Sequence, residues 1–309
     1  MGIWGTSISS LLPIMFIFSS LISLVGVLLG VAFFTLMERK IMGLMHYRKG
    51  PNKVILSGIS QPISDAIKLL SKEFYKMSFS KMTMFSMGPV VAMMIMVLMW
   101  GVYEPYFSNM SKSSTTILVI IALMSLSPYM FFLMGWGSNT KYALMGSLRA
   151  IAQVISYEVC LVLLILSIIY LTGSYKMFKI MGTQMGMWMC MINVPLFLCW
   201  MMMCMAESNR TPFDHAESES ELVSGFNVEY GGGLFAVIFI SEYGMIMFLS
   251  FLSSIIFLGS GMTLLKTMVL CGIFIWVRCS FPRVRYDKLM MLSWKLCLPY
   301  SLALLAFYI

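Results

Sequence analysis

Apolar runs of about twenty residues recur along nearly the whole chain, and no other feature limits its possible folds so strongly. About 20 consecutive apolar residues are what an α-helix needs to cross a bilayer, and in lipid the backbone must satisfy its own hydrogen bonds. Such runs lie at 11–37, 82–101, 117–135, 144–172, 187–205, 234–258, 265–277 with its flanks, and 289–309. They predict an all-α polytopic transmembrane helix bundle of about eight spans, one transmembrane domain over 1–309. The chain is 60% hydrophobic and only 11% charged, against roughly 25% charged in a soluble domain, which excludes an ordinary soluble fold. No basic residue precedes the first run, so it lacks the n-region of a signal peptide and is expected to stay as a helix, closed by Glu38-Arg39-Lys40. Pro195 removes a backbone donor and is expected to kink the fifth span.

The connecting segments sort by charge. With eight spans, 38–81, 136–149, 206–233 and 278–295 fall on one side and hold 17 of the 21 Lys and Arg residues. The positive-inside rule then puts these loops inside and both termini outside. Within the first loop, Gln61 to Phe74 reads as a short helix with Pro62 at its first position and Asp65 at its positive end. Ile63, Ile67, Leu70 and Phe74 share one face and Lys68, Lys72 and Lys76 another, the pattern of an amphipathic helix lying in the membrane interface.

The 206–233 loop breaks the pattern. Six of the chain's 13 acidic residues fall between Glu207 and Glu229, against one cation, Arg210. Asp214, Glu217 and Glu221 stand at i, i+3 and i+7, so on a helix they share a face while Glu219 points elsewhere. Carboxylates crowded beside a low-dielectric region resist simultaneous ionisation, so such a cluster can take up and release protons. The plainer reading is a solvated acidic loop. Two further carboxylates lie inside spans. Glu158 is about 14 residues into its helix, roughly 20 Å along, near the bilayer centre. Arg149, nine residues earlier, is on the opposite face, so Glu158 needs a partner on another helix, water or a proton. Glu242 gets the same reading. A carboxylate at that depth is a functional hypothesis by default. Arg278, Arg283 and Arg285 cluster at the inner end of the seventh span, either as topology and lipid-headgroup residues or as partners of the acidic stretch. The seven cysteines show no CxxC pair and there are two histidines, His46 and His215, so no zinc or iron–sulfur ligand set assembles. The cysteines read as small buried hydrophobes.

Several of these segments carry a resemblance. Glu38-Arg39-Lys40, Arg48-Lys49-Gly50-Pro51-Asn52-Lys53, Gln61-Pro62 with Asp65-Ala66-Ile67-Lys68-Leu69, Lys141-Tyr142-Ala143-Leu144, Arg149-Ala150 and Ser156-Tyr157-Glu158-Val159 are among them. So are Asn209-Arg210-Thr211-Pro212-Phe213-Asp214, the run from Glu219 to Tyr230, Trp276-Val277-Arg278 and Pro282-Arg283-Val284-Arg285-Tyr286-Asp287. Together they resemble the NADH–ubiquinone oxidoreductase chain 1 family over roughly residues 11 to 300, and the abundance of Met, 34 residues, fits a mitochondrially encoded member. The resemblance implies a core membrane subunit of respiratory complex I in the mitochondrial inner membrane, multi-pass, with both termini on the intermembrane-space side. Loops 38–81 and 206–233 would form the polar docking face for the hydrophilic quinone-site subunits, and antiporter-like membrane subunits would be further partners, with membrane lipid around the bundle and no nucleic acid.

The resemblance also implies site roles. It places Arg39, Arg48, Phe226, Arg278 and Arg283 along a ubiquinone channel. It places Tyr142, Glu158, Glu207, Arg210, Asp214, Glu217, Glu219, Glu221, Glu229 and Tyr230 on a proton-translocation path. Ubiquinone is then the substrate, and NADH, FMN and iron–sulfur clusters belong to partner subunits, so no cofactor is bound by this chain and no complete catalytic site lies in it. His215 and Ser218 depart from the Leu and Gly of the family pattern, as does His46-Tyr47, and His215 is expected to face outward. The alternatives are a proton-coupled secondary transporter, against which the lack of an internal repeat speaks, and the equivalent subunit of a membrane-bound hydrogenase.

Overall fold

In a computed structural model of the chain, residues 3–73, 80–102, 114–215 and 225–309 are described. Their elements in order are α1 (Ile3–Met45), α2 (Ile55–Gly58), α3 (Gln61–Leu70), α4 (Met82–Val102), α5 (Thr116–Met124), α6 (Ser127–Ser138), α7 (Lys141–Thr172), α8 (Met177–Thr183), α9 (Met189–Ile192) and α10 (Val194–Glu207). A single 3₁₀ turn, Gly225–Asn227, precedes α11 (Gly232–Leu258), α12 (Thr263–Ser280) and α13 (Tyr286–Met291), which runs through a π turn, Leu292–Cys297, into α14 (Leu298–Tyr308). Among the described residues there is no strand. Among the described residues seven helical stretches are long and apolar enough to cross a membrane, and α10 is a shorter apolar helix. The expected helix bundle is therefore what forms.

Helices that already sit in lipid gain little from hiding apolar surface, so close packing and satisfied polar groups must hold them together. Small residues set the closest approaches. At Gly137 a Cβ would stand 2.6 Å from the Phe85 amide nitrogen, so α6 lies directly on the backbone of α4. Serine hydroxyls within the spans are spent on their own helices: Ser167, Ser250, Ser253 and Ser254 each donate to a carbonyl one turn back, which removes an unsatisfied donor from lipid. The larger core joins α1, α4, α5, α7, α10, α11 and α12 around Trp200, Phe248 and Phe257. A smaller aromatic core, Phe85, Phe131, Phe226 and Tyr230, gathers beneath the 3₁₀ turn.

Four sequence expectations need correction. The triplet Glu38-Arg39-Lys40 does not close the first span; α1 continues to Met45, because Glu38 is buried and ion-paired rather than solvated. The 117–135 run is one span, as expected, within Thr116–Ser138, but not one continuous helix: α5 and α6 meet at Ser125 and Leu126, with Pro128 in the first turn of the second. Pro195 kinks nothing. The chain breaks before it, at Asn193 (φ −141°, ψ 85°), and Pro195 sits in the first turn of α10, whose start the Asn193 side chain caps by accepting from the Leu196 amide at 3.1 Å. Asp65 lies in the second turn of α3 and serves Arg39, at 2.7 Å, and the Gln61 side chain, at 2.9 Å, rather than the helix end. The apolar face of α3 is as expected: Ile63, Ile67 and Leu70 are all exposed. Phe74, Lys76, Glu217, Ser218, Glu219 and Glu221 lie outside the described residues.

Candidate functional site

α10 has 14 residues. At 1.5 Å per residue that is about 21 Å, short of the roughly 30 Å of hydrocarbon. The chain leaving it is therefore recessed inside the bundle. Glu207, Asn209 and Arg210 are all buried, and Asn209 turns the chain with a left-handed φ of 47°. Gln153 on α7, fully buried, holds both ends of this turn: its Nε2 donates to the carbonyls of Ala206 at 3.0 Å and Phe213 at 2.9 Å. The start of the acidic stretch is thus an inner wall of the protein, not a solvated loop.

Glu207 accepts a hydrogen bond at Oε1 from Ser127 Oγ, 3.1 Å away. Ser127 is delivered by the α5–α6 break; irregular backbone at membrane depth is tolerated where it is buried or lines a cavity. Glu207 Oε2 has no partner among the described residues. The same carboxylate lines a cavity with Ser127, Asn209, Ser241 and Glu242. About 30 Å³ of it is open to the centre of a water molecule, above the roughly 10–15 Å³ that one water needs. Glu158, half-buried midway along α7, lies within Coulombic range of Glu207.

Across the cavity, Arg210 pairs with Glu242 at 3.3 Å, each side chain only 11% exposed. The Arg210 guanidinium also stacks over the Tyr243 ring, 4.6 Å from its centre. Tyr243 donates from its hydroxyl to Glu38 Oε2 at 2.6 Å, and Glu38 Oε1 is ion-paired with Arg278. A second small cavity, bordered by Phe34, Glu38, Ser208, Arg210, Phe274 and Arg278, adjoins this network. From Arg278 on α12 the polar groups pass through Glu38 on α1, Tyr243 and Glu242 on α11, and Arg210 to Glu207 on α10 and toward Glu158 on α7. Two carboxylates carry cations, one carries only a serine, and cavities able to hold water separate them. Such a line can move a proton by exchange among carboxylates and water, and a charge change at one end alters every pair along it.

Arg283 and Arg285 behave differently from Arg278. Arg283 donates to the backbone carbonyl of Asp214 and the Val284 amide to that of Pro212, at 3.0 Å, tying the C-terminal end of α12 to the 209–215 turn. Arg285 pairs with exposed Asp287 at 2.9 Å. The outward orientation expected for His215 is wrong: it is 2% exposed, packed edge-on against Tyr286 with 5.9 Å between ring centres, because the Arg283 and Val284 contacts close the α12–α13 loop over it. Phe226 and Tyr230 sit in the smaller aromatic core. Phe226 meets Phe131 edge-on at 5.1 Å, while Tyr230 stacks on Phe85 at 4.2 Å and donates to the Phe85 carbonyl at 2.9 Å. Burial pushes the Tyr230 hydroxyl up beyond the ordinary phenol range, so it keeps its proton throughout physiological pH. Tyr142 is exposed and Glu229 half-buried, away from both cavities. Arg39 is half-exposed on Asp65 and Arg48 is exposed just past the C-terminal end of α1.

Sequence reasoning passed over Glu38, Ser127, Gln153 and Tyr243. For Glu38 a signal existed: Val31, Phe34 and Glu38 stand at i, i+3 and i+7, and all three are buried, so the apolar face of the helix runs through the charged triplet. Among the described residues no three His, Cys, Asp or Glu side chains gather to hold a metal ion.

The NADH dehydrogenase family model matches residues 18–309 of this chain. The chain belongs to this family. NADH-ubiquinone oxidoreductase chain 1 of Locusta migratoria is 48% identical over 299 residues, covering 96% of this chain and 95% of the relative. That of Aedes aegypti is 47% identical over 294 residues, 94% of each, and that of Trichosurus vulpecula 45% over 306 residues, 96% of each. The NADH dehydrogenase family match spans every element of the polar path, from Glu38 to Arg278.

Proposed function

We propose that this chain is a core membrane subunit of proton-translocating NADH:ubiquinone oxidoreductase, forming ubiquinone-channel wall and the start of the proton path. The observation that carries the reading is the line of buried and half-buried polar groups from Arg278 and Glu38, through Arg210 and Glu242, to Glu207 and Glu158. Buried ion pairs are a poor way to stabilise a fold, and intramembrane carboxylates are functional by default. Reducing a quinone to a quinol takes two electrons and two protons. The electrons come from a partner subunit, as do NADH, FMN and the iron–sulfur clusters.

In this reading the channel runs past Arg278 and Arg283, with Arg39 and Arg48 at its inner opening and Phe226 contributing through the aromatic core that shapes the wall. Quinone chemistry changes the charge facing Arg278. Its partner Glu38 then changes how tightly it holds the Tyr243 hydroxyl, and Arg210, stacked on that ring, shifts its hold on Glu242. Glu242 and Glu207 exchange a proton across the cavity they share, and Glu158 passes the change onward. Asp214, Glu217, Glu219, Glu221, Glu229, Tyr230 and Tyr142 complete the inner approach. The bundle sits in the mitochondrial inner membrane with loops 38–81 and 206–233 on the matrix side, docked to hydrophilic subunits, and both termini on the intermembrane-space side.

The test is Glu207→Gln in the assembled complex. NADH oxidation by a hydrophilic artificial acceptor is expected to stay at the parent rate, because that chemistry is remote, while ubiquinone reduction falls at least tenfold, about 1.4 kcal/mol of barrier. Parent-rate ubiquinone reduction with parent proton pumping would refute the assignment.

A further inference from the structure

The last span contains a π turn, which the path above does not use. Leu289, Ser293, Cys297 and Ser301 are all buried and recur every fourth residue. Four residues turn a regular α-helix by about 400°, so such a stripe drifts by about 40° at each step. The wider π turn at Leu292–Cys297 takes up that drift, and the stripe stays against α7. There the Tyr157 hydroxyl donates to the Leu289 carbonyl at 3.0 Å and the Cys160 thiol to the Ser293 carbonyl at 3.7 Å. Cys297 comes one step further along. α10 also packs on α7, and it brings Cys199 within side-chain reach of Cys297, with Cys160 beside both.

All seven cysteines are free thiols. Cys160 and Cys297 are buried and Cys199 is half-buried, so a reagent dissolved in the membrane meets Cys199 first. The location of the pair limits what it can do. Cys160 is two residues beyond Glu158 on α7, at membrane depth. Among the described residues no three ligands gather to hold a metal ion, and two thiolates on a monovalent ion would leave net charge in hydrocarbon, which is costly. A disulfide carries no charge. The Cys160 thiol is engaged with the Ser293 carbonyl, which leaves Cys199 and Cys297 as the sulfurs free to join.

We propose that Cys199 and Cys297 are a thiol–disulfide pair, oxidised by an organic hydroperoxide dissolved in the membrane. The Cys199 sulfur attacks one peroxide oxygen. The O–O bond breaks, leaving a sulfenic acid on Cys199 and an alcohol that takes the thiol proton. The Cys297 sulfur then attacks the Cys199 sulfur. The S–S bond forms, the S–O bond breaks, and hydroxide leaves with the Cys297 proton as water. The two thiols together lose two electrons and two protons, and the hydroperoxide is reduced to an alcohol and water. The bond ties α10, which carries Glu207 about two turns further on, to the last span. The proposal rests on the bundle spanning a membrane and is independent of the quinone reading.

The experiment treats the assembled complex in nanodiscs with cumene hydroperoxide, blocks the remaining thiols with N-ethylmaleimide during denaturation, and maps the unreduced digest by mass spectrometry. A peptide pair joined through Cys199 and Cys297, lighter by the two thiol hydrogens, should appear on treatment and vanish when the digest is reduced. Cys199→Ser should abolish the link and leave Cys297 open to N-ethylmaleimide, while Cys160→Ala should leave the link in place. Native-gel mobility checks that both variants assemble, and the parent measurement stands without them. Treatment that leaves both thiols open to N-ethylmaleimide would overturn the proposal, as would sulfinic or sulfonic acid on Cys199 without the link. A dominant link between Cys160 and Cys297 would also overturn it, because the reactive pair would then be a different one.

Discussion

Replacing Gln153 with Met tests how the recessed turn holds the site. Gln153 is fully buried, and its Nε2 bonds the carbonyls of Ala206 and Phe213 at 3.0 and 2.9 Å. Met has a similar length and no donor. A hydrogen bond of this kind contributes about 1 kcal/mol net, so two are worth about 2 kcal/mol, a factor of about 30 in an opening equilibrium. The penalty is not felt evenly. Gln153 Oε1 has no partner among the described residues, so the substitution also removes a buried acceptor that itself costs about 1–3 kcal/mol. Global stability should therefore change little while the turn loosens. The amides of Ser208, Asn209, Phe213 and His215 are bonded within the turn, to Cys204, Ala206, Arg210 and Phe213, and they report its opening. Hydrogen exchange of the assembled complex, read by mass spectrometry, should show these four amides exchanging about 30-fold faster, with α11 unchanged. Ubiquinone reductase activity should fall in parallel, because Glu207 and Arg210 ride on the turn. Exchange within twofold of the parent would mean that the Gln153 bonds do not hold the site.

Three further outcomes follow from the same geometry. Tyr243→Phe removes the 2.6 Å hydrogen bond to buried Glu38, a bond to a charged group worth about 1.5–3 kcal/mol; ubiquinone reduction should drop about tenfold or more with the artificial-acceptor rate unchanged, and equal loss of both rates would point to misassembly instead. Gly137→Ala puts a Cβ 2.6 Å from the Phe85 amide nitrogen; overpacking of this kind costs about 1–3 kcal/mol, so the yield of assembled complex should fall, and a parent-like yield would mean α4 and α6 separate freely. Single cysteines at Lys53 and at Lys176 should react with impermeant reagents from opposite faces of the membrane, and labelling from one face would break the eight-span topology.

The bundle was legible because lipid imposes a length on every spanning helix, and the α12 run, brief as it looks at 265–277, extends through its flanks to Thr263–Ser280. What stayed hidden depended on a few residues acting against the period. Pro128 and Asn193 interrupt runs whose composition is uniformly apolar, so hydropathy alone merges α5 with α6 and α9 with α10. The value of those breaks is positional: one delivers Ser127 to Glu207, and the other shortens α10 so that Glu207 stays inside. The acidic concentration near 207–229 and the carboxylates placed within apolar runs, Glu158 and Glu242, could be picked out from the sequence. The pairing could not. Arg278 could be assigned to lipid or to the acidic stretch, and it goes to Glu38, 240 residues away in sequence, a contact that only the packing of α1 against α12 creates. His215 was misread for the same reason: the covering Tyr286 lies in a segment whose return path cannot be seen in a local pattern.

The central claim is that buried carboxylates change protonation when the quinone is reduced. Infrared difference spectra of the assembled complex, quinone form against quinol form, read the carbonyl stretch of protonated carboxyl groups directly. The account predicts carboxyl bands in the parent that are altered or lost in Glu207→Gln and Glu242→Gln and, further along the path, in Glu158→Gln. Spectra in which all three variants reproduce the parent carboxyl bands would contradict it.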